Sequence, residues 1–120
     1  MNLIKYLQIL IRKFTHKKIS YSYGGIDLII TNIFKNLKNG TYVDVGCGHP
    51  IKNNNTYLLN KKGWKGINID LDKDNINLFK IFRKNDHNII GAVSNKVKEV
   101  DLFFYHKKSA LNTISTENAN

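Results

Sequence analysis

The sequence predicts an α/β fold: a small parallel sheet with flanking helices, preceded by N-terminal helices. Apolar segments rich in β-branched residues alternate with segments of helical periodicity between residues 26 and 93. The first predicted strand runs into a turn formed by Gly46, Cys47 and Gly48, and the second strand ends on Asp70. Because helical crossovers make such strands parallel, we expect the turn and this carboxylate to meet at one edge of the sheet.

Two helices are predicted before the sheet. Apolar residues recur at helical spacing between residues 3 and 14, namely Leu3, Leu7, Leu10 and Phe14. Gly24 and Gly25 break the chain, and a second apolar periodicity runs from residue 26 to residue 37. Asn39 and Gly40 then act as a helix stop and a turn.

The first two strands enclose a short helix. Residues 41 to 45 are predicted to form a buried strand, because they are rich in β-branched residues and bounded by glycines. Asn55 or Thr56 caps a helix over residues 57 to 62, which Gly63 closes in the left-handed conformation. Residues 64 to 70 form the second strand.

A second helix and further strands follow. Asp72 or Asp74 caps a helix over residues 75 to 83, and residues 88 to 93 form the third strand. Residues 99 to 105 predict another strand, antiparallel to the third. A complete doubly wound sheet needs more strands than these, so we expect an open sheet edge through which the chain oligomerises.

The glycine turn indicates which class of nucleotide the pocket takes. A dinucleotide fingerprint would require a third glycine at position 51, which is Ile51, and the chain has no phosphate-binding loop of the G-x-x-x-x-G-K-[ST] type. Asp44 precedes the turn, and its carboxylate would repel a phosphate but attract the cationic amino-acid end of a ligand. S-adenosylmethionine meets that description.

These residues resemble the first half of FkbM-type S-adenosylmethionine-dependent methyltransferases. The most specific segments are YVDVGCGHP at residues 42 to 50, NTY at residues 55 to 57 and GWKGINID at residues 63 to 70. The resemblance continues over residues 86 to 94, 99 to 105 and 110 to 115, and more loosely over residues 20 to 27. It implies a partial Rossmann-like sheet of the class I methyltransferase kind.

The resemblance also implies a domain organisation and a reaction. Periodicity and charge predict that residues 1 to 20 form a basic amphipathic helix, and the resemblance implies that residues 21 to 120 form a truncated methyltransferase domain. Members of the family continue with further strands and an acidic segment near the methyl-transfer centre, so the chain resembles an amino-terminal portion. The implied reaction is O-methylation of a hydroxyl on a sugar, a lipid or a small metabolite, with no catalytic residue assigned in this chain.

The resemblance assigns cofactor contacts to seven residues: Asp44, Gly46, Cys47, Gly48, His49, Asp70 and Leu71. Asp44 lies beneath the amino-acid end of the cofactor, or alternatively caps the turn. The three turn residues contact the cofactor through their backbone. His49 faces the methionine side of the cofactor.

The remaining assignments concern the adenosine end. Asp70 accepts hydrogen bonds from two ribose hydroxyls, and Leu71 packs on the adenine. Val93 or Ser94, at the end of the third strand, borders the edge of the ring. Asp86 instead caps structure ahead of the third strand.

Composition narrows the remaining classes of partner. Seventeen lysines but two arginines contribute to a net charge of +10, and the joint abundance of Lys, Asn and Ile is typical of an A/T-rich genome. Arginine is the residue preferred for phosphate and base contacts, so nucleic-acid binding is disfavoured. The single cysteine excludes an internal disulfide and fits a cytoplasmic location, and the four histidines have no metal-ligand spacing.

The first 18 residues leave a second function open. They are amphipathic and basic with no acidic residue, and too short to span a bilayer. This segment either packs on the sheet or lies on an anionic membrane surface. The alternative to a methyltransferase is therefore a small basic module that contacts anionic lipid or nucleic acid and keeps a vestigial pocket.

Overall fold

The computed structural model describes residues 3 to 15, 19 to 97, 99, 101 and 103. Its elements are, in chain order, α1 (Leu3–Thr15), a 3-10 turn (Tyr23–Gly25), α2 (Ile26–Ile33), β1 (Thr41–Val45), α3 (Tyr57–Lys61), β2 (Lys65–Asp70), α4 (Lys73–Phe82) and β3 (His87–Ile90). The strand predicted over residues 99 to 105 lies outside the described residues, apart from three single positions.

The three strands form one parallel sheet in the order β1, β2, β3. Val43 lies opposite Ile67 and Val45 opposite Ile69, while Ile69 lies opposite Ile89 on its other side. Helix α4 packs on β2 and β3, and α2 packs on α3. The predicted α/β fold with a small parallel sheet and flanking helices is therefore confirmed.

The bounds of α3, β2 and α4 differ from the prediction by one or two residues, and the largest differences are at the ends of α2 and β3. Helix α2 ends at Ile33 rather than at residue 37, because Phe34 leaves helical geometry and its ring packs 5.6 Å from that of Trp64. β3 ends at Ile90 rather than at residue 93. Helix α4 begins as predicted at an aspartate, since the Asp72 carboxylate accepts hydrogen bonds from the N–H groups of Asp74 and Asn75.

The prediction that Asn55 or Thr56 caps α3 is wrong. Thr56 occupies the N-cap position, but its side chain makes no capping hydrogen bond. Its hydroxyl donates to Asp44 instead, and the N–H of Thr56 donates to the side chain of Asn54 at 3.0 Å. At the other end of the helix, Gly63 has a φ of 93°, as the left-handed closing position requires.

The two faces of the sheet differ in polarity. Tyr42, Asp44 and Asn68 point toward the face on which the helices pack, where Asn68 is fully buried. On the opposite face Val43, Val45 and Ile89 are 63%, 58% and 47% exposed. The prediction that residues 41 to 45 form a buried strand is thus wrong: β1 is half-buried, because no helix in the described part of the chain covers its apolar side.

The core lies between the sheet and the helices. Ile76, Leu78 and Phe79 of α4 are almost completely buried, and Cys47 from the glycine turn joins Ile76 and Phe79 in one cluster. At the amino end of β2 the Trp64 ring lies against Gly40, where a Cβ would stand 2.4 Å from a ring atom. Glycine is therefore required at position 40 by close packing.

The exposed apolar face of the sheet predicts self-association. Replacing Val43 and Ile89 by threonine keeps β-branched residues in the strands while making this face polar. We expect the double variant to associate less in concentration-dependent sedimentation. Its free energy of unfolding should change by less than about 0.5 kcal/mol per site, as at exposed positions. A loss of about 2 kcal/mol or more per site in urea unfolding would show instead that these side chains are buried.

Candidate functional site

The glycine turn and Asp70 meet at the carboxyl edge of the sheet. The N–H groups of Gly46 and Cys47 donate to the carbonyl of Ile69 at 2.9 and 3.2 Å. The N–H of Gly48 donates to Asp70 Oδ2 at 2.7 Å. Gly46 and Gly48 have φ values of 70° and 60°, so the turn that makes these contacts needs glycine at both positions. The predicted convergence of these two strand ends is therefore present.

This arrangement decides which groups face a ligand. All three N–H groups of the turn are already donated to β2, so the turn does not present them as a phosphate cradle. Asp70 also accepts from the N–H of Asp72, through Oδ1 at 2.8 Å. Each oxygen of the carboxylate thus holds one backbone N–H and keeps a lone pair for a further donor. Asp70 is positioned by the fold and can still accept two hydroxyl groups.

Asp44 is fixed on the helix-covered face. The Thr56 hydroxyl donates to Asp44 Oδ2 at 2.8 Å, and Asn54 Nδ2 approaches the same oxygen at 3.4 Å. Asn54 Nδ2 also donates to the carbonyl of Cys47 at 3.0 Å, which ties the turn to the following loop. Within the described part of the chain, no hydrogen bond reaches Asp44 Oδ1.

The side chains of Cys47 and His49 have structural roles in and after the turn. Burial first, and then the nearby Asp70 and Asp44 carboxylates, raise the pKa of the Cys47 thiol to about 12. A thiol in that state is not a nucleophile at neutral pH. His49 Nδ1 accepts from the N–H groups of Ile51 and Lys52 at 3.1 and 3.0 Å, so this side chain organises the exit from the turn.

The residues predicted around the adenosine end lie in different environments. Leu71 is half-buried directly after Asp70, whereas Val93 and Ser94 are exposed. Asp86, predicted to cap structure ahead of the third strand, is buried against β1 and β2 instead: its carboxylate accepts from the Tyr42 hydroxyl at 2.6 Å, the Gly66 N–H at 3.1 Å and Asn68 Nδ2 at 3.0 Å. Its carboxylate thus ties the residue that precedes β3 to β1 and β2.

Sequence reasoning missed several buried polar residues; besides Asn54, they include Asp27 and Arg83. Asp27 is fully buried and accepts from Ser20, from the N–H of Tyr21 and from Ser22. Burial alone would raise its pKa, but these hydrogen bonds together lower it. Arg83 is another such residue. It is one of two arginines in a lysine-rich chain, and that rarity was a usable signal.

Other kinds of site find no support in the described residues. Among residues 3 to 15, 19 to 97, 99, 101 and 103, no three His, Cys, Asp or Glu side chains gather as metal ligands. No helix formed by these residues is both long enough and apolar enough to cross a bilayer.

Comparison of the chain with models of protein families, with curated proteins and with solved structures finds no match. What the site binds is therefore inferred from its geometry and its chemistry.

The state of Cys47 predicts its reactivity. A pKa of about 12 lies three units above the ordinary value of 9.0, so the thiolate fraction near neutral pH should fall about a thousandfold. We expect iodoacetamide to label the folded protein at pH 8 at least about 100-fold more slowly than the protein in urea. Equal rates in both conditions, followed by mass spectrometry, would show that the turn does not bury the thiol.

Proposed function

We propose that this chain is the cofactor-binding part of an S-adenosylmethionine-dependent methyltransferase. The observation that carries the proposal is the contact between the glycine turn after β1 and the carboxylate that ends β2. The 2.7 Å hydrogen bond from Gly48 to Asp70 puts both at the carboxyl edge of two neighbouring parallel strands. Ligands of open parallel sheets bind in the crevice outside this edge.

The donors and acceptors at the edge fit this cofactor better than a phosphorylated nucleotide. The N–H groups of Gly46, Cys47 and Gly48 are held by β2, so a pyrophosphate would meet carboxylates in place of donors. S-adenosylmethionine has no phosphate. Its ribose offers two hydroxyl donors, and Asp70 has one remaining lone pair on each oxygen to accept them.

The other end of the cofactor fits Asp44. An ammonium group is a donor with a positive charge, and Asp44 Oδ1 is the oxygen that the described hydrogen bonds leave for it. Cys47 lies near both carboxylates, since each of them raises the pKa of its thiol. We therefore assign Asp70 to the ribose, Asp44 to the ammonium group and the half-buried Leu71 to one side of the adenine.

The chain's own part in the reaction is binding and orientation. S-adenosylmethionine supplies a methyl group already activated by its sulfonium, so holding it in line with an acceptor oxygen provides most of the catalysis. The resemblance to FkbM-type methyltransferases supports a partial Rossmann-like fold of the class I kind. It also supports a hydroxyl of a sugar, lipid or small metabolite as the acceptor.

Replacement of Asp70 tests the proposal. We expect the chain to bind S-adenosylhomocysteine in calorimetry and Asp70→Ala to weaken binding by about 10- to 100-fold, as for lost hydrogen bonds to a charged group. Asp74→Ala is the matched control, because Asp74 is an exposed aspartate in the first turn of α4. Circular dichroism of each variant verifies its folding. Absence of binding by the unmodified chain, or equal affinities of both variants, would contradict the proposal.

One observation favours a second function for the N-terminal segment, contact with an anionic membrane. Four aliphatic side chains of α1 are between 48% and 69% exposed, namely Leu3, Ile4, Leu7 and Ile11. The first 26 residues contain five lysines and arginines and no acidic residue. A helix with exposed aliphatics and a purely basic flank is typical of interfacial binding.

Vesicle-binding measurements distinguish this function from non-specific binding by the chain. We expect binding to phosphatidylserine-containing vesicles that salt weakens, and little binding to phosphatidylcholine alone. Leu7→Gln with Ile11→Gln should lower the affinity at least about tenfold, because each side chain loses an apolar contact. The control pair, Ile29→Gln with Ile33→Gln, alters aliphatic residues of α2 that are at least as exposed as the two replaced in α1. Equal losses in both pairs, or capture by RNA but not by vesicles, would contradict this function.

A further inference from the structure

Arg83 directly follows α4 and is 2% exposed. Its Nε and Nη2 both donate to the carbonyl of Pro50, at 3.0 and 2.7 Å. Nη2 also donates to Asn54 Oδ1 at 2.6 Å, and Nη1 donates to the Thr56 hydroxyl at 2.8 Å. The guanidinium therefore fixes the beginning, the middle and the end of the loop over residues 50 to 56.

This loop connects the glycine turn to α3, and it carries the two side chains that hold Asp44. The Thr56 hydroxyl has one proton and already accepts from Arg83. Asp44 Oδ2, at 2.8 Å, is its charged acceptor, while Asn54 Oδ1, at 3.1 Å, already receives Arg83 Nη2 and the N–H of Thr56. The proton of Thr56 therefore goes to Asp44. Arg83 orients this donor although it does not touch the carboxylate.

The second path runs through Asn54. Because Asn54 Oδ1 accepts from Arg83, the amide is oriented with Nδ2 toward Cys47 O and Asp44 Oδ2. Both paths end on Oδ2, and among the described residues no hydrogen bond reaches Oδ1.

Packing in the core does not by itself explain why residue 83 is an arginine. Its guanidinium lies 4.9 Å from the Phe79 ring and 5.3 Å from the Tyr57 ring, contacts that an aliphatic side chain would also make. Burying a charge costs free energy that an aliphatic side chain avoids. What the guanidinium adds is a rigid fork of donors that holds several acceptors in one geometry.

We propose that Arg83 is a positioning residue, which sets the Asp44 carboxylate to receive the ammonium group of the cofactor. The inference rests on the proposed function, since it concerns one end of the same ligand. Loss of the Arg83 guanidinium should weaken the binding of ligands that carry the amino-acid end of the cofactor. Ligands that consist of the adenosine end alone, held at Asp70, should be affected little.

Two ligands and two matched variants test this selectivity. Calorimetry compares S-adenosylhomocysteine with 5′-methylthioadenosine, which lacks the amino-acid end. We expect Arg83→Lys to weaken the binding of S-adenosylhomocysteine by about 10- to 100-fold, as for a lost hydrogen bond to a charged group. The affinity for 5′-methylthioadenosine should fall by less than about threefold. Arg12→Lys, the same change at the chain's other arginine, should alter neither affinity. Equal losses for both ligands would show a merely structural role and overturn the inference, as would no loss.

Variants of Thr56 test the positioning of the Asp44 carboxylate even if Arg83→Lys does not fold. Thr56→Val removes the hydroxyl that donates to Asp44, whereas Thr56→Ser keeps it. We expect the valine variant to lose affinity selectively for S-adenosylhomocysteine and the serine variant to restore it. Valine and serine variants of equal affinity would overturn the inference. Failure of the unmodified chain to bind either ligand would instead refute the proposed function itself.

Discussion

The parallel pairing of β1 with β2 is the constraint on which the rest of the structure depends. Its register places Val45, the last residue of β1, opposite Ile69, so β1 ends one residue before the level of Asp70. Only then do the backbone N–H groups of the turn reach Ile69 and Asp70. A shift of the register by one residue would move every side chain to the other face and separate the turn from the carboxylate.

The polarity of the sheet is the second feature that sets the site. The face covered by helices carries polar groups, and Arg83, Asn54, Thr56 and Asp86 fill the space above it. Buried polar groups stabilise a fold when each donor finds an acceptor. In the described residues one buried side-chain atom, Asn68 Oδ1, lacks a hydrogen-bond partner. The network thus gives the loop after the turn a single geometry, while the aliphatic side chains of the strands remain at the opposite surface.

Local signals predicted much of this fold. Glycines at the turn, an aspartate before α4 and β-branched runs gave the order of the elements, because each acts within a few residues. The burial of each strand was harder to predict from the sequence. Val43 and Val45 indicated a buried strand, yet their burial depends on whether another element covers that face of the sheet. The end of α2 was also missed, since the contact of Phe34 with Trp64 is tertiary, and so was the end of β3.

In the site, too, features set by local sequence could be predicted and features set by tertiary contacts could not. Asp44, Asp70 and the glycine turn could be predicted from spacing along the chain. The role of Arg83 could not, because it contacts Pro50, Asn54 and Thr56, residues 27 to 33 positions earlier. Asn54 was passed over in favour of Asn55 for a similar reason: three consecutive asparagines look alike until the fold selects the one that faces Asp44.

The most direct measurement of the central claim is a titration of the isotope-labelled chain with S-adenosylhomocysteine, followed by the amide resonances. If the turn and the carboxylate form one binding site, the amides of Gly46, Gly48, Asp70 and Leu71 shift together along a single saturation curve. The amides of α1 stay in place. Resonances of the turn that do not move, or that follow a different curve from those of Asp70 and Leu71, would contradict the account.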